Sequence, residues 1–142
     1  MTMNGSRLLK ATVCAMAIFY SGVHLHAQQQ ATAAEAKHVP VIDGAAGPCS
    51  IEFTVTDEHG KPVYDATIDV HFAYGFMGTH RLDLEAGTNM DGKARFAGLP
   101  VKVKGGTMYF HALQGELAGS SFYNPAQSCD AKQGIFLTKT AQ

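Results

Sequence analysis

The 142-residue sequence contains no tryptophan, only three cysteines and no excess of basic charge. Each shortage excludes something. Without basic residues interleaved with aromatics there is no electrostatic footprint for nucleic acid or for an anionic membrane. The apolar run at residues 11–20 is shorter than the roughly 20 residues that a spanning helix needs. There is no Gly-x-Ser-x-Gly elbow, no His-Glu-x-x-His pair, no Cys-x-x-Cys and no phosphate-binding glycine loop. No ten-residue window carries a helical apolar stripe, so the chain is not helical.

What is present begins with an export signal. Arg7 and Lys10 precede the apolar run, small and polar residues follow it, and Ala27 stands at the expected cut. Residues 1–27 therefore read as a cleaved signal peptide, which predicts a periplasmic or secreted protein. Cleavage removes Cys14, Arg7 and Lys10, leaving nine Lys and Arg against twelve Asp and Glu. It also leaves two cysteines, Cys49 and Cys129, an even number that favours one disulfide in an oxidising compartment. Closing a loop of about 80 residues stabilises a fold by roughly 4 kcal/mol in the chain-entropy model.

Residues 28–48 are rich in Ala, Gln and Gly and lack an apolar face, so they read as a flexible leader. From Cys49 the pattern changes to alternation. Ile51, Phe53 and Val55 alternate with Glu52, Thr54 and Thr56; Ala66, Ile68, Val70 and Phe72 alternate with Thr67, Asp69, His71 and Ala73. Leu82 and Leu84 mark a third strand, and Ala94 and Phe96 a fourth. Residues 107–113, 116–123 and 135–138 complete seven. Lys102 and Lys104 sit in a loop or weak edge segment, where lysine discourages pairing with other chains. Glycine and proline punctuate the connections, as turns require. The expectation is an all-β, seven-stranded antiparallel Greek-key β-sandwich over residues 49–142.

Two segments carry a resemblance. Residues 55–66 (VTDEHGKPVYDA) are similar to the D-x-x-G-x-P-V-x-x-A opening of carboxypeptidase regulatory-like domains. Residues 88–100 (TNMDGKARFAGLP) are similar to that family's T-x-x-D-G-x-x-x-F-x-G-L-P hallmark. The resemblance covers residues 51–100 well and the remainder loosely. It implies a prealbumin-like (transthyretin-like) sandwich serving as an accessory module in exported proteins, with no shared catalytic residues and no cofactor. Lys102 to Gly106 departs from the family's usual course. Enzymes of the same fold are excluded by their signatures. The Tyr-Arg-Gly-Ser ending of transthyretin-like hydrolases is missing. Intradiol dioxygenases hold iron with two Tyr and two His, and Tyr109 and His111 find no second pair.

Remaining chemistry-bearing residues define alternatives. His71, Met77, His80 and His111, with Met90 and Met108, are imidazole and thioether donors suited to copper. A periplasmic copper-binding protein is thus the alternative function. Asp57, Asn89 and Asp91 are oxygen donors for calcium, although turn formation already accounts for each. Tyr64, Tyr74, Tyr109 and Tyr123 would line a sugar or peptide surface if two or three were exposed on one sheet. Ser120 and Ser121 have no assignable base. The reading is a non-catalytic binding or structural module with an unidentified protein or carbohydrate partner, and with no nucleic-acid or membrane partner after signal cleavage.

Overall fold

Alternating side chains build nine strands among the residues that the computed structural model describes, 37–140. They are Val41–Asp43 (β1), Cys49–Thr56 (β2), Thr67–Tyr74 (β3), His80–Gly87 (β4), Lys93–Leu99 (β5), Met108–Gln114 (β6), Leu117–Tyr123 (β7), Asp130–Phe136 (β8) and Thr138–Lys139 (β9). One sheet has the order β1-β5-β2-β8 and the other β4-β3-β6-β7-β9. Their inner faces meet in a single apolar core. The all-β, two-sheet expectation is thereby met. The signal peptide and residues 28–36 lie outside the described residues.

The core centres on three aromatic rings. Phe53 (β2) and Phe96 (β5) come from one sheet and Phe110 (β6) from the other. Their centroids lie 4.7 to 6.2 Å apart in tilted or edge-on contacts. Such pairs contribute about 0.5–1.5 kcal/mol each beyond area burial. Ser121 Oγ donates to Gln133 Oε1 at 2.8 Å, linking β7 to β8 along one side of the sandwich.

Three expectations need correction. The sheets hold nine strands rather than seven, because β1 and β9 are too short to show a period. Pairing is not uniformly antiparallel: β1 runs parallel to β5, and β2 parallel to β8 over seven register pairs. Alternation has the same period in both pairings, so it carries no information on direction. Ordered sheet structure also starts before Cys49. β1 docks because Arg95 N–H donates to Pro40 O and Gly44 N–H to Ala97 O, both at 2.9 Å. The expected leader therefore does not extend through Val41–Asp43.

The two family-like segments interlock at one end of the sandwich. Val55 N–H donates to Gly92 O (2.7 Å), Asp65 N–H to Thr88 O (3.0 Å) and Thr88 N–H to Ala66 O (2.9 Å). The Thr88 hydroxyl donates to Val63 O (2.7 Å) while accepting from Ala66 N–H (2.9 Å). Gly92 is at φ +70°, and a Cβ there would lie 2.4 Å from Val55 O. Only glycine fits that position.

The disulfide forms between Cys49 and Cys129, with Cα atoms 4.5 Å apart. It ties the first residue of β2 to the residue before β8. Tyr123 lies buried beside it, its hydroxyl 3.1 Å from Cys129 O. Burial, and then the nearby Asp130 charge, raise the pKa of that phenol above its ordinary value.

Candidate functional site

On β3 and β6 the even positions face the core: Ile68, Val70 and Phe72, and Met108, Phe110 and Ala112. The odd positions must then cover the outer face of the five-stranded sheet. These are Thr67, Asp69, His71 and Ala73 on β3, and Tyr109, His111 and Leu113 on β6. Register places Phe122 of β7 opposite Tyr109, and Ser120 opposite His111. Tyr109 and Phe122 are 62% and 66% exposed, and Leu113 is exposed on the same face four positions further along β6. An opposed aromatic pair that leaves both rings in water is a platform with one free side.

Next to the platform runs a polar row. Glu85 lies opposite Asp69, Asp69 opposite His111, and His111 opposite Ser120, crossing four strands. His71 Nδ1 pairs with Asp83 Oδ1 one step along the same face. Ser120, His111 and Asp69 stand in the order that nucleophilic catalysis uses. No hydrogen bond joins their side chains, which sit at successive cross-strand positions rather than in contact. The row can hydrogen-bond a ligand. It has no cover and no reacting geometry.

The expected copper donors are scattered over the sandwich. His71 and His111 stand on the outer face. Met77 lies in the β3–β4 connection, and His80 starts β4 on the opposite phase, its ring stacked on Tyr74 at 5.3 Å. Met90 is exposed in the turn before β5, and Met108 is buried in the core. Among the described residues, no group of three or more His, Cys, Asp or Glu is placed to hold a metal ion.

The oxygen donors act in turns. Asn89 Oδ1 accepts from Asp91 N–H (3.0 Å) and Lys93 N–H (2.8 Å). Asp57 Oδ1 accepts from His59 N–H and Lys61 N–H at 2.9 Å. The hydrogen bond from Lys61 is the main cause of the lowered pKa of Asp57, a group that also gains from the His59 bond. Asn89 and Asp57 thus satisfy their own loops, and Asp91 joins the first through its N–H.

Of the four tyrosines, Tyr123 is buried and Tyr74 half-buried, while Tyr64 is exposed in the β2–β3 connection. Only Tyr109 of the four lies exposed on a sheet. Its companion is Phe122, which the sequence leaves unmarked because β7 (LAGSSFY) has no clear alternation. The signal available was Tyr123: once that ring is inward, its neighbour must point out.

No protein-family model and no curated protein matches the chain. Among solved structures, 3-chlorocatechol 1,2-dioxygenase from Rhodococcus opacus 1CP matches at 12% identity and a TM-score of 0.49. That match covers 72% of this chain and 64% of the other. Shaft pilin SpaA from Lactobacillus rhamnosus GG matches at 10% identity and a TM-score of 0.48, covering 67% of this chain and 47% of that one. Catechol 1,2-dioxygenase from Acinetobacter radioresistens matches at 13% and 0.45, with coverages of 75% and 60%. This chain thus spans about half to two thirds of these proteins. These are partial likenesses among β-sandwich proteins, and no activity transfers across them. No helix among the described residues is long and apolar enough to cross a membrane.

Proposed function

We propose that this chain is a non-catalytic binding module of the carboxypeptidase regulatory-like kind, exported to an oxidising compartment, and that it binds carbohydrate on the outer face of the five-stranded sheet. The observation that carries the reading is the Tyr109–Phe122 pair, two opposed rings exposed on a flat surface. The apolar face of a pyranose ring stacks on such a platform. The adjoining Ser120, His111, Asp69 and Glu85 supply donors and acceptors for its hydroxyls. The interlocked segments at 55–66 and 88–100 support the family reading, since both become parts of one hydrogen-bonded unit. The Cys49–Cys129 disulfide supports the compartment. The divided copper donors give that alternative no common site.

The test is binding of the full chain to a glycan array and to insoluble polysaccharides, alongside Tyr109→Ala and Phe122→Ala. Each ring removed is expected to weaken retention about tenfold, from the loss of roughly 1–2 kcal/mol of stacking and burial. Glycan binding that persists unchanged in the double variant refutes this surface. Failure of the wild-type chain to bind any glycan refutes the ligand class.

A further inference from the structure

The loops at one end of the sandwich carry a different kind of surface. The β3–β4 connection forms a single 3₁₀ turn, Phe76–Gly78, between Gly75 (φ +79°) and Gly78 (φ +72°). Met77 itself is held at φ +55°, a left-handed conformation that a non-glycine residue rarely adopts. Gly78 N–H donates to Gly75 O (3.2 Å), and the Thr79 hydroxyl to Phe76 O (3.0 Å). The turn is therefore braced. What it holds out is apolar: Phe76 is 84% exposed and Met77 80%.

The β5–β6 connection packs against this turn. Lys104 N–H donates to Ala73 O at 2.8 Å, and Val103 bridges to Tyr74. Between the two connections lies an open groove of about 430 Å³ lined by Gly75, Met77, Gly78, Lys102, Val103 and Lys104. Two lysines thus flank two protruding apolar side chains, and Val101 is exposed alongside. Among the described residues, charge differs between the connections at the two ends, although Lys37 and Lys139 adjoin the acidic set. The connections at this end (44–48, 75–79, 100–107 and 124–129) contain Lys102 and Lys104 and no carboxylate. Those at the other end (57–66, 88–92 and 115–116) contain Asp57, Glu58, Asp65, Asp91 and Glu116 against Lys61 alone. The carboxylates adjoining the cationic end are engaged: Asp43 accepts from Ala45 N–H, and Asp130 from Ser50 and Arg95.

We propose that this end docks on an anionic lipid surface, with Phe76 and Met77 entering the headgroup–acyl boundary and Lys102 and Lys104 meeting lipid phosphates. The apolar side chains protrude from a braced turn, so they suit a deformable apolar medium better than a rigid partner, which would need a matching pocket. The flanking cations select negative headgroups. Neither element uses the aromatic platform, and the two proposals stand or fall separately.

The chain lacks tryptophan, so Phe76→Trp places a single tryptophan, excited selectively over the five tyrosines, at the tip of the full-length protein. Its emission is expected to shift to the blue on vesicles of phosphatidylcholine mixed with phosphatidylglycerol. It should stay unshifted on pure phosphatidylcholine and lose the shift at high salt. In the same background, Lys102→Gln with Lys104→Gln is expected to weaken partitioning about tenfold. Residues 1–36 cannot mimic the result, because the probe reports only its own surroundings. An unshifted emission on anionic vesicles, or a shift that ignores both lysine changes, overturns the proposal. A shift with polyglutamate but not with vesicles assigns the end to an acidic protein instead and overturns it equally.

Discussion

Thr88 shows how one side chain can hold two distant segments together. Its buried hydroxyl accepts from Ala66 N–H and donates to Val63 O, while its own backbone bonds Asp65 and Ala66. Valine at this position keeps the shape and removes both hydroxyl bonds, leaving a buried donor and a buried acceptor unpaired. Thr88→Val is expected to lower unfolding stability by about 2–4 kcal/mol, and Thr88→Ser by less, in urea titrations followed by circular dichroism. A larger loss for Thr88→Ser than for Thr88→Val would mean that packing of the methyl, not the hydroxyl, dominates here. The need for glycine at position 92 was legible as an Asp-Gly turn. The close approach of Val55 O, which makes alanine unacceptable there, belongs to a contact 37 positions away in sequence.

The elements divide into those that announce themselves and those that do not. β2, β3 and β5 carry alternation over most of their length because each buries one face and leaves the other more accessible. β1 has three residues, two of them exposed, and nothing in its composition marks it as a strand. It exists because β5 presents an open edge and Pro40, Ile42 and Gly44 can follow it in parallel. Its docking also covers that edge, which would otherwise invite pairing with another chain. Because Arg95 N–H donates to Pro40 O, this amide is expected to resist hydrogen exchange as core-strand amides do. Exchange at the rate of an open edge would show that β1 does not stay docked. β7 was harder to phase than β6 for a related reason: Gly119, Ser120 and Ser121 give no polar–apolar contrast. Its outward ring, Phe122, follows from pairing with β6 rather than from its own sequence.

At the scale of the whole molecule, the disulfide fixes β2 to the segment entering β8, its neighbour in the same sheet, across 80 positions of chain. Replacing both cysteines with alanine is expected to cost about 2–4 kcal/mol of stability. Non-reducing mass spectrometry of the native chain should find the pair oxidised, and free thiols on both would remove the basis of that expectation. The cysteine count made this pairing legible once Cys14 was set aside with the expected signal peptide, since two thiols allow one bridge. Alternation likewise determined the all-β class, the two buried faces and most core residues, because burial imposes a period of two whatever the partner strand. Strand direction was not determined, since parallel and antiparallel ladders share that period. Nor was the distribution of charge. A net balance near zero predicted no attraction to an anionic surface, yet folding sets Lys102 and Lys104 at one end and the loop carboxylates, with Lys61, at the other. The same holds for Tyr109 with Phe122, and for Phe76 and Met77 with Lys102 and Lys104. Each cluster joins residues that are unremarkable in sequence, and only register and loop packing bring them together, because proximity between distant positions is a property of the folded chain.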